Sequence, residues 1–419
     1  MQQLGVWIGK VGVQVQQQER GMWAAKLYYL CFYAALGALA PFFNIFLQGR
    51  GLNGAEIGLL GSLAPLISLA ANPFWGTTAD RFQIHQIVLA FCALAAGILS
   101  VPFIWQHGFW PILFLLMAMI FFRTPIPMLL DTSVMGMLTR NGAAYGRQRL
   151  FGSLGFLITS YGLGQVMAAD DLDLIFWVHG GLLAIGCVLL SFLLPFPRHR
   201  DEHGDEHSSG QGDGPNASIW QGLRMLAGQR RYVSFLLMAV FMGFGSACFI
   251  NFVGLRLLAL GGDSGQVGLA YALNAVTEIP VMFMGARLSR RFGTNTLLMT
   301  GVFGLAAAYI FAGLAPTPFF VLVAMAMVGF FSGAYWMTVV IYANESAPPR
   351  LRATGQSLVG AAQGGLGWAI GGISAGLMWD ALGGTAVLLA GGISLIIGAI
   401  VFLVGQRQPQ LRQNAPGAR

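Results

Sequence analysis

Charge is what this chain has least of. Asp, Glu, Lys and Arg together make up only 9% of 419 residues, against 56% apolar residues. A soluble protein of this length needs far more charge to cover its surface, so a soluble globular fold is excluded. Cysteine is scarce too. Cys31, Cys92, Cys187 and Cys248 fall in four different apolar segments and read as buried free thiols, not as a disulfide framework or metal site. No Gly-x-x-x-x-Gly-Lys-Ser/Thr loop occurs, so the chain has no device for hydrolysing a nucleotide. No Ser/His/Asp set or paired-cysteine motif suggests an enzyme, and no cofactor is implied. The net charge of +7 is poor evidence for nucleic acid, because no continuous basic patch remains once the loops are separated.

What the chain does have is apolar blocks, each long enough to cross about 30 Å of hydrocarbon at about 1.5 Å per residue. Twelve spans are expected, near 25–47, 56–80, 84–105, 109–138, 149–168, 173–196, 231–257, 265–288, 294–314, 317–343, 352–379 and 384–405. With the N-terminus inside, 20 of the 23 Lys and Arg residues fall in inner loops and tails. That bias places both termini in the cytoplasm. The expected fold class is therefore an all-α, multi-pass protein of the plasma (cytoplasmic) membrane, with twelve transmembrane helices in two six-helix pseudo-symmetric bundles.

The two bundles follow from a repeat. Gly76-Thr77-Thr78-Ala79-Asp80-Arg81-Phe82 has a counterpart in Gly285-Ala286-Arg287-Leu288-Ser289-Arg290-Arg291-Phe292, 209 residues on. Glu56-Ile57-Gly58-Leu59 recurs as Gln266-Val267-Gly268-Leu269, 210 residues on, and Arg149-Leu150-Phe151-Gly152 as Arg352-Ala353-Thr354-Gly355, 203 on. A period of half the chain on an apolar background marks a two-lobed transporter with its site at the seam. The expected layout is a polar N-terminal extension (1–22), a first bundle (23–197), a cytoplasmic linker (198–230), a second bundle (231–405) and a tail (406–419). Residues 1–21 are Gln-rich, and Met22-Trp23-Ala24-Ala25-Lys26 looks more like a transporter's start. The linker holds His199, His203 and His207, whose spacing could bind a metal if helical, but Gly204 and the Ser/Gly run beyond it oppose a helix, and no metal site is expected. Glycines of the eleventh span form three small-xxx-small pairs (360/364, 367/371, 372/376), read as close helix packing.

A charge in hydrocarbon costs about 3 kcal/mol or more, so each needs a partner or a wet cavity. Asp131 and Arg149 flank the cytoplasmic turn between the fourth and fifth spans and sit at similar depth. An ion pair is natural there, either binding substrate through an acceptor and a donor fork or merely locking two helices. Glu278 stands mid-span beside Asn274 and Pro280 with no opposite charge near it in sequence. An acid that is costlier charged than neutral suits a residue that loads and unloads protons; the alternative is a protonated structural Glu. Asp131 is a second candidate for proton coupling. Arg123, beside Pro125 and Pro127, could attract an anionic substrate or serve Glu278 and loosened carbonyls. Asp80-Arg81, spaced from Gly76, stands where a cytoplasmic gate would close. Asn44 and Asn251 occupy equivalent places in the two halves and could line the central cavity.

These residues carry a resemblance. Gly76-x-x-x-Asp80-Arg81 resembles the loop 2–3 signature of the major facilitator superfamily, with Gln83 and His85 where a small and a basic residue usually stand. Tyr145-Gly146-Arg147-Gln148-Arg149-Leu150-Phe151-Gly152 is similar to the start of span five in lactose permease-like and phenylpropionate permease-like proton symporters, as are Glu278-Ile279-Pro280-Val281 and Leu351-Arg352-Ala353-Thr354-Gly355-Gln356 to their spans eight and eleven. The resemblance implies that Asp131 and Arg149 contact the solute and that Phe156 stacks on it. It also has limits. The ninth span is uncharged, and the tenth has no charge before Glu345, so the sugar permease's proton relay does not carry over whole and lactose is an unlikely substrate.

The expectation is a secondary active transporter, a proton-coupled symporter taking up a small organic solute by alternating access. An aromatic acid, a nucleoside and a sugar all remain open. One alternative is a proton-driven exporter of drugs or metabolites; another is a non-transporting membrane receptor or scaffold. The expected partners are a small-molecule substrate, protons and the lipid bilayer, with no nucleic acid, and the protein is expected to be a monomer.

Overall fold

Runs of apolar residues without strand-like alternation should fold as helices, because only helices and closed barrels satisfy their backbone in hydrocarbon. The computed structural model describes residues 2–137, 142–167, 172–196, 228–346, 348 and 351–406, and among these the regular structure is helical throughout. The first half holds α1 (Gln2–Leu39), α2 (Phe43–Gly49), α3 (Gly54–Phe82), α4 (His85–Ser100), α5 (Phe109–Arg123), α6 (Pro125–Met137) and α7 (Gly142–Val166). It ends with α8 (Leu174–Gly181), which runs through a π-helical stretch into α9 (Val188–Ser191). The second half holds α10 (Arg230–Ala259), α11 (Ser264–Phe292), α12 (Thr294–Gly313), α13 (Pro318–Ser346), α14 (Arg352–Gly360), a π-helical segment (Ala361–Gly367) and α15 (Trp368–Gln406).

Ten helical stretches of the described residues are long and apolar enough to cross a membrane. Two features bear on the twelve expected. The 25-residue α7 is long enough to span but is not among the ten. The last stretch, Thr354–Gln406, is one of the ten, yet it turns at Gly383, whose φ of 79° only glycine adopts readily. The expected linker, with His199, His203 and His207, lies almost wholly outside the described residues, as does most of the C-terminal tail.

The repeat seen in sequence has a structural meaning. Asn53 caps α3 by accepting from the Glu56 amide at 2.9 Å, and Asp263 caps α11 by accepting from the Gln266 amide at 2.7 Å. One turn later come Gly58 and Gly268. A Cβ on Gly58 would lie 2.9 Å from Gly376 Cα on α15, and one on Gly268 would lie 3.1 Å from Gly164 Cα on α7. Each repeated motif thus starts a helix and then presents the glycine that lets it cross the opposite half at backbone contact.

Among the described residues, these crossings join the halves at one end. A single apolar core takes in the second half together with the Ala38–Leu60, Phe103–Ile120 and Leu163–Phe176 regions of the first. The opposite end of the first half, around Ala24–Ala35, Val88–Ala96 and Ile126–Val134, has a separate core of its own. The halves are fused where α3 meets α15 and α7 meets α11, and among the described residues the end of the first half that carries Asp80 has a core separate from the second half.

Candidate functional site

Between the halves lies a cavity of about 680 Å³. Its described lining comes almost entirely from the second half; the first contributes Ala40 and Phe156. Polar groups reach it from α10 (Ser246), α11 (Asn274, Glu278), α13 (Ser332) and the segment around Gln356 and Gln363. Aromatic faces come from Tyr271, Tyr335, Trp336 and Trp368, and Phe156 meets Tyr271 at 6.4 Å between ring centres. The mid-span Glu expected from sequence therefore opens onto the cavity, beside Asn274. Arg149, from the first half, stands close enough for its charge to act on Glu278. Phe156, which the resemblance implied stacks on the solute, lines the cavity.

Asp131 lies elsewhere. It lines a second, shallower hollow of about 670 Å³ with Asn72, Thr124, Pro127, Met128, Thr132 and Met135, and accepts a hydrogen bond from the buried Tyr29 hydroxyl of α1. The expected Asp131–Arg149 pair is not among the ion pairs of the described residues, which are Arg50–Asp173 at 3.2 Å and His85–Asp80 at 2.8 Å. Arg123 is turned into the first half. Its charge acts on His179, a fully buried residue whose Nδ1 donates to Ala35 O at 2.9 Å.

Asn44 and Asn251 do meet, but in the seam. Asn44 Nδ2 donates to Asn251 O at 2.8 Å, and neither lines the larger cavity. Further along the seam Trp368 Nε1 donates to Gly61 O at 3.0 Å and Ser62 Oγ to Ala369 O at 3.1 Å. Asp380, unremarked in the sequence, closes it: its two carboxylate oxygens accept from the Gly54 and Ala55 amides at 2.7 and 2.9 Å, at the start of α3. At the opposite end of the first half, Asp80 and His85 pair, His85 stacks on Phe196 with 5.3 Å between ring centres, and Arg81 is exposed. Gly76 packs α3 on α6, where a Cβ would meet Met128 Cε at 3.2 Å.

The eleventh-span glycines divide. A Cβ on Gly371 would meet Phe244 Cα at 2.6 Å, and one on Gly376 would meet Ala55 Cα at 2.9 Å, so these pack as expected. At Gly360, Gly364 and Gly365 an added Cβ would meet nothing within 4 Å, so the 360/364 pair is not a packing contact. Sequence reasoning passed over Gln363 and Trp368; a polar or indole side chain inside the glycine-rich run was the available signal.

Two helical halves fused at one end around a central cavity define a membrane transporter of the major facilitator type. The model of the MFS_1-like family matches residues 22–390, and the chain belongs to that family. It is 29% identical over 380 residues to the maltose permease of Geobacillus stearothermophilus, covering 90% of this chain and 93% of that protein. It is 26% identical over 319 residues to a protein named "Probable 3-phenylpropionic acid transporter" from Escherichia coli (strain K12), covering 74% and 79%. Among solved structures, a mutant of the nucleoside transporter NupG superposes with a TM-score of 0.80 at 15% identity, over 92% of this chain and all of that one. A bacterial homologue of the lysosomal transporter Spinster, solved inward-facing and unoccupied, superposes with a TM-score of 0.71 at 16% identity, over 93% and 95%. The protein is a multi-pass integral membrane protein of the plasma membrane.

Proposed function

We propose that this protein is a proton-coupled symporter that takes up a small organic solute by alternating access. The observation that carries this is the placement of Glu278, an acid inside an otherwise largely apolar and aromatic cavity between the halves. A carboxylate there is easily made neutral by a proton, and Arg149 across the seam offers it a charge to answer when it is ionised. In this reading α7 and both arms of α15 are spans, giving twelve in two bundles, 23–197 and 231–405. The Lys/Arg-rich loops put the Asp80 end, with its separate core, in the cytoplasm, so the structure is open inward. Solute released from this state leaves a vacant cavity, and the halves then rock about the site. Asp80, Arg81 and Gly76 belong to the cytoplasmic gate, which stands open. Arg149 contacts the solute as it bridges toward the first half; Asp131, bonded to Tyr29 in a separate hollow, meets it only in another state of the cycle.

The relatives' names support a sugar, a nucleoside or an aromatic acid as the solute. The test uses proteoliposomes with maltose, uridine and 3-phenylpropionate as probes. Addition of a transported probe should alkalinise the outer medium in wild type and not in Glu278→Gln. Wild-type-like coupling in that variant removes Glu278 from the mechanism, and acidification of the medium makes the protein an antiporter.

A further inference from the structure

Gln363 stands in the π-helical segment Ala361–Gly367, a kind of helix defect that recurs at functional sites. Its side chain is only 6% exposed, and it lines the larger cavity. Its amide oxygen accepts from the Tyr335 hydroxyl at 2.7 Å, and Tyr335 is itself 1% exposed. Its amide nitrogen is not among the buried atoms that lack a partner, and it opens onto the cavity that Gln363 lines. An amide whose oxygen is fixed by a buried hydroxyl presents its N–H donors in a defined direction to whatever enters the cavity. With the oxygen pinned by Tyr335, the two N–H donors are left for the cavity.

The surroundings narrow what that partner is. Glu278 and Asn274 supply acceptors from α11, and Phe156, Tyr271, Trp336 and Trp368 supply aromatic faces. No Lys, Arg or His is among the described lining residues, and the Arg149 charge is already set against Glu278. A carboxylate solute would find no cation among these described lining residues and would have to compete with Glu278 for Arg149. Gly360 and Gly364 line the same wall as Gln363, and no packing contact fills the space where their side chains would be. That open strip of backbone leaves room for a ring.

We propose that Gln363 is a substrate-binding residue, oriented by Tyr335, whose amide donates to an oxygen of an uncharged, hydroxyl-bearing ring. The ring lies along the Gly360–Gly364 strip. Its hydroxyls donate to Glu278, and its apolar face stacks on the aromatic wall. Sugars and nucleosides share this chemistry; aromatic acids do not. The inference rests on the transport reading only in taking this cavity as the solute's site.

Titration calorimetry on the purified full-length protein tests it, with maltose, uridine and 3-phenylpropionate as probes. Wild type should bind maltose or uridine at least tenfold more tightly than 3-phenylpropionate, and which of the two binds names the source. Gln363→Glu keeps an oxygen for Tyr335 and removes the donor; it should weaken the uncharged probe about tenfold or more. Tyr335→Phe should weaken the same probe by a smaller factor, narrowing selectivity against 3-phenylpropionate, which a purely structural role would not do. Gln363→Asn serves as a second variant if the Glu form does not fold. Wild-type affinity in a Gln363 variant that melts like wild type overturns the proposal, as does a wild-type preference for 3-phenylpropionate. Gln363-dependent binding without proton coupling would instead sink the symport reading and leave this one standing.

Discussion

Glu278 and Asp131 are both acids within membrane-spanning helices, and their neighbours give them different work. Asp131 is held by the Tyr29 hydroxyl inside the first half, whereas Glu278 faces the cavity with Arg149 in range. Tyr29→Phe should cost about 1–2 kcal/mol of stability, read as a lower unfolding midpoint in detergent. An unchanged midpoint would mean that the bond contributes nothing. Glu278→Gln, whose amide oxygen can still accept from the solute, should keep solute exchange between two equal pools while uphill accumulation falls at least tenfold; loss of both would mean that the substitution removes binding itself and would leave proton carriage by Glu278 unsupported. Asp131 and Arg149 show what position along a helix tells and what it omits. The turn between them led to an expectation of similar depth. The face each presents was not legible, because it depends on how α6 and α7 rotate about their own axes to pack.

Among the helices, the glycines separate packing from space. Gly58 lets α3 touch α15, and a larger side chain would collide with Gly372 O and Gly376 Cα. Gly58→Val should therefore force the seam apart, at about 1–3 kcal/mol or more, and lower the yield of folded protein. Gly364→Ala adds a Cβ into open space and should raise helix stability by up to about 1 kcal/mol, whatever it does to binding. Thermal unfolding of the two variants checks the contrast, and similar destabilisation by both would refute it. The seam glycines could be read from the repeat, since Gly58 and Gly268 stand at matching places. The difference between Gly364 and Gly371 could not, because identical residues in one run differ only in what lies opposite them.

For the whole molecule, the seam decides which way the cavity faces. The Asp380 carboxylate holds two backbone amides of α3, and Trp368, Ser62 and Asn44 add bonds between the halves. All of these must break for the cavity to open on the other side. Charge-assisted bonds of this kind contribute about 1.5–3 kcal/mol each, so Asp380→Ala should shift the population outward by tenfold or more. A cysteine placed at Ser332, in a cysteine-free background, should then react faster with an impermeant maleimide added outside. An unchanged rate would show that Asp380 does not hold the seam.

The sequence by itself determined the class, an all-helical membrane protein, and showed the repeated motifs. Hydrocarbon thickness sets the length of a span, and backbone satisfaction in lipid leaves helices as the form for such runs. It also picked out Glu278 and Phe156 for the cavity, one because a lone acid in an apolar run is conspicuous, the other through resemblance. Tertiary structure alone decided that Asp131 pairs with Tyr29, that Asn44 and Asn251 belong to the seam, that Arg123 turns inward toward His179, and that Gln363 is pinned by Tyr335. Those outcomes depend on helix rotation and on partners more than a hundred residues away for Tyr29 and Asn44. No local pattern of residues encodes either.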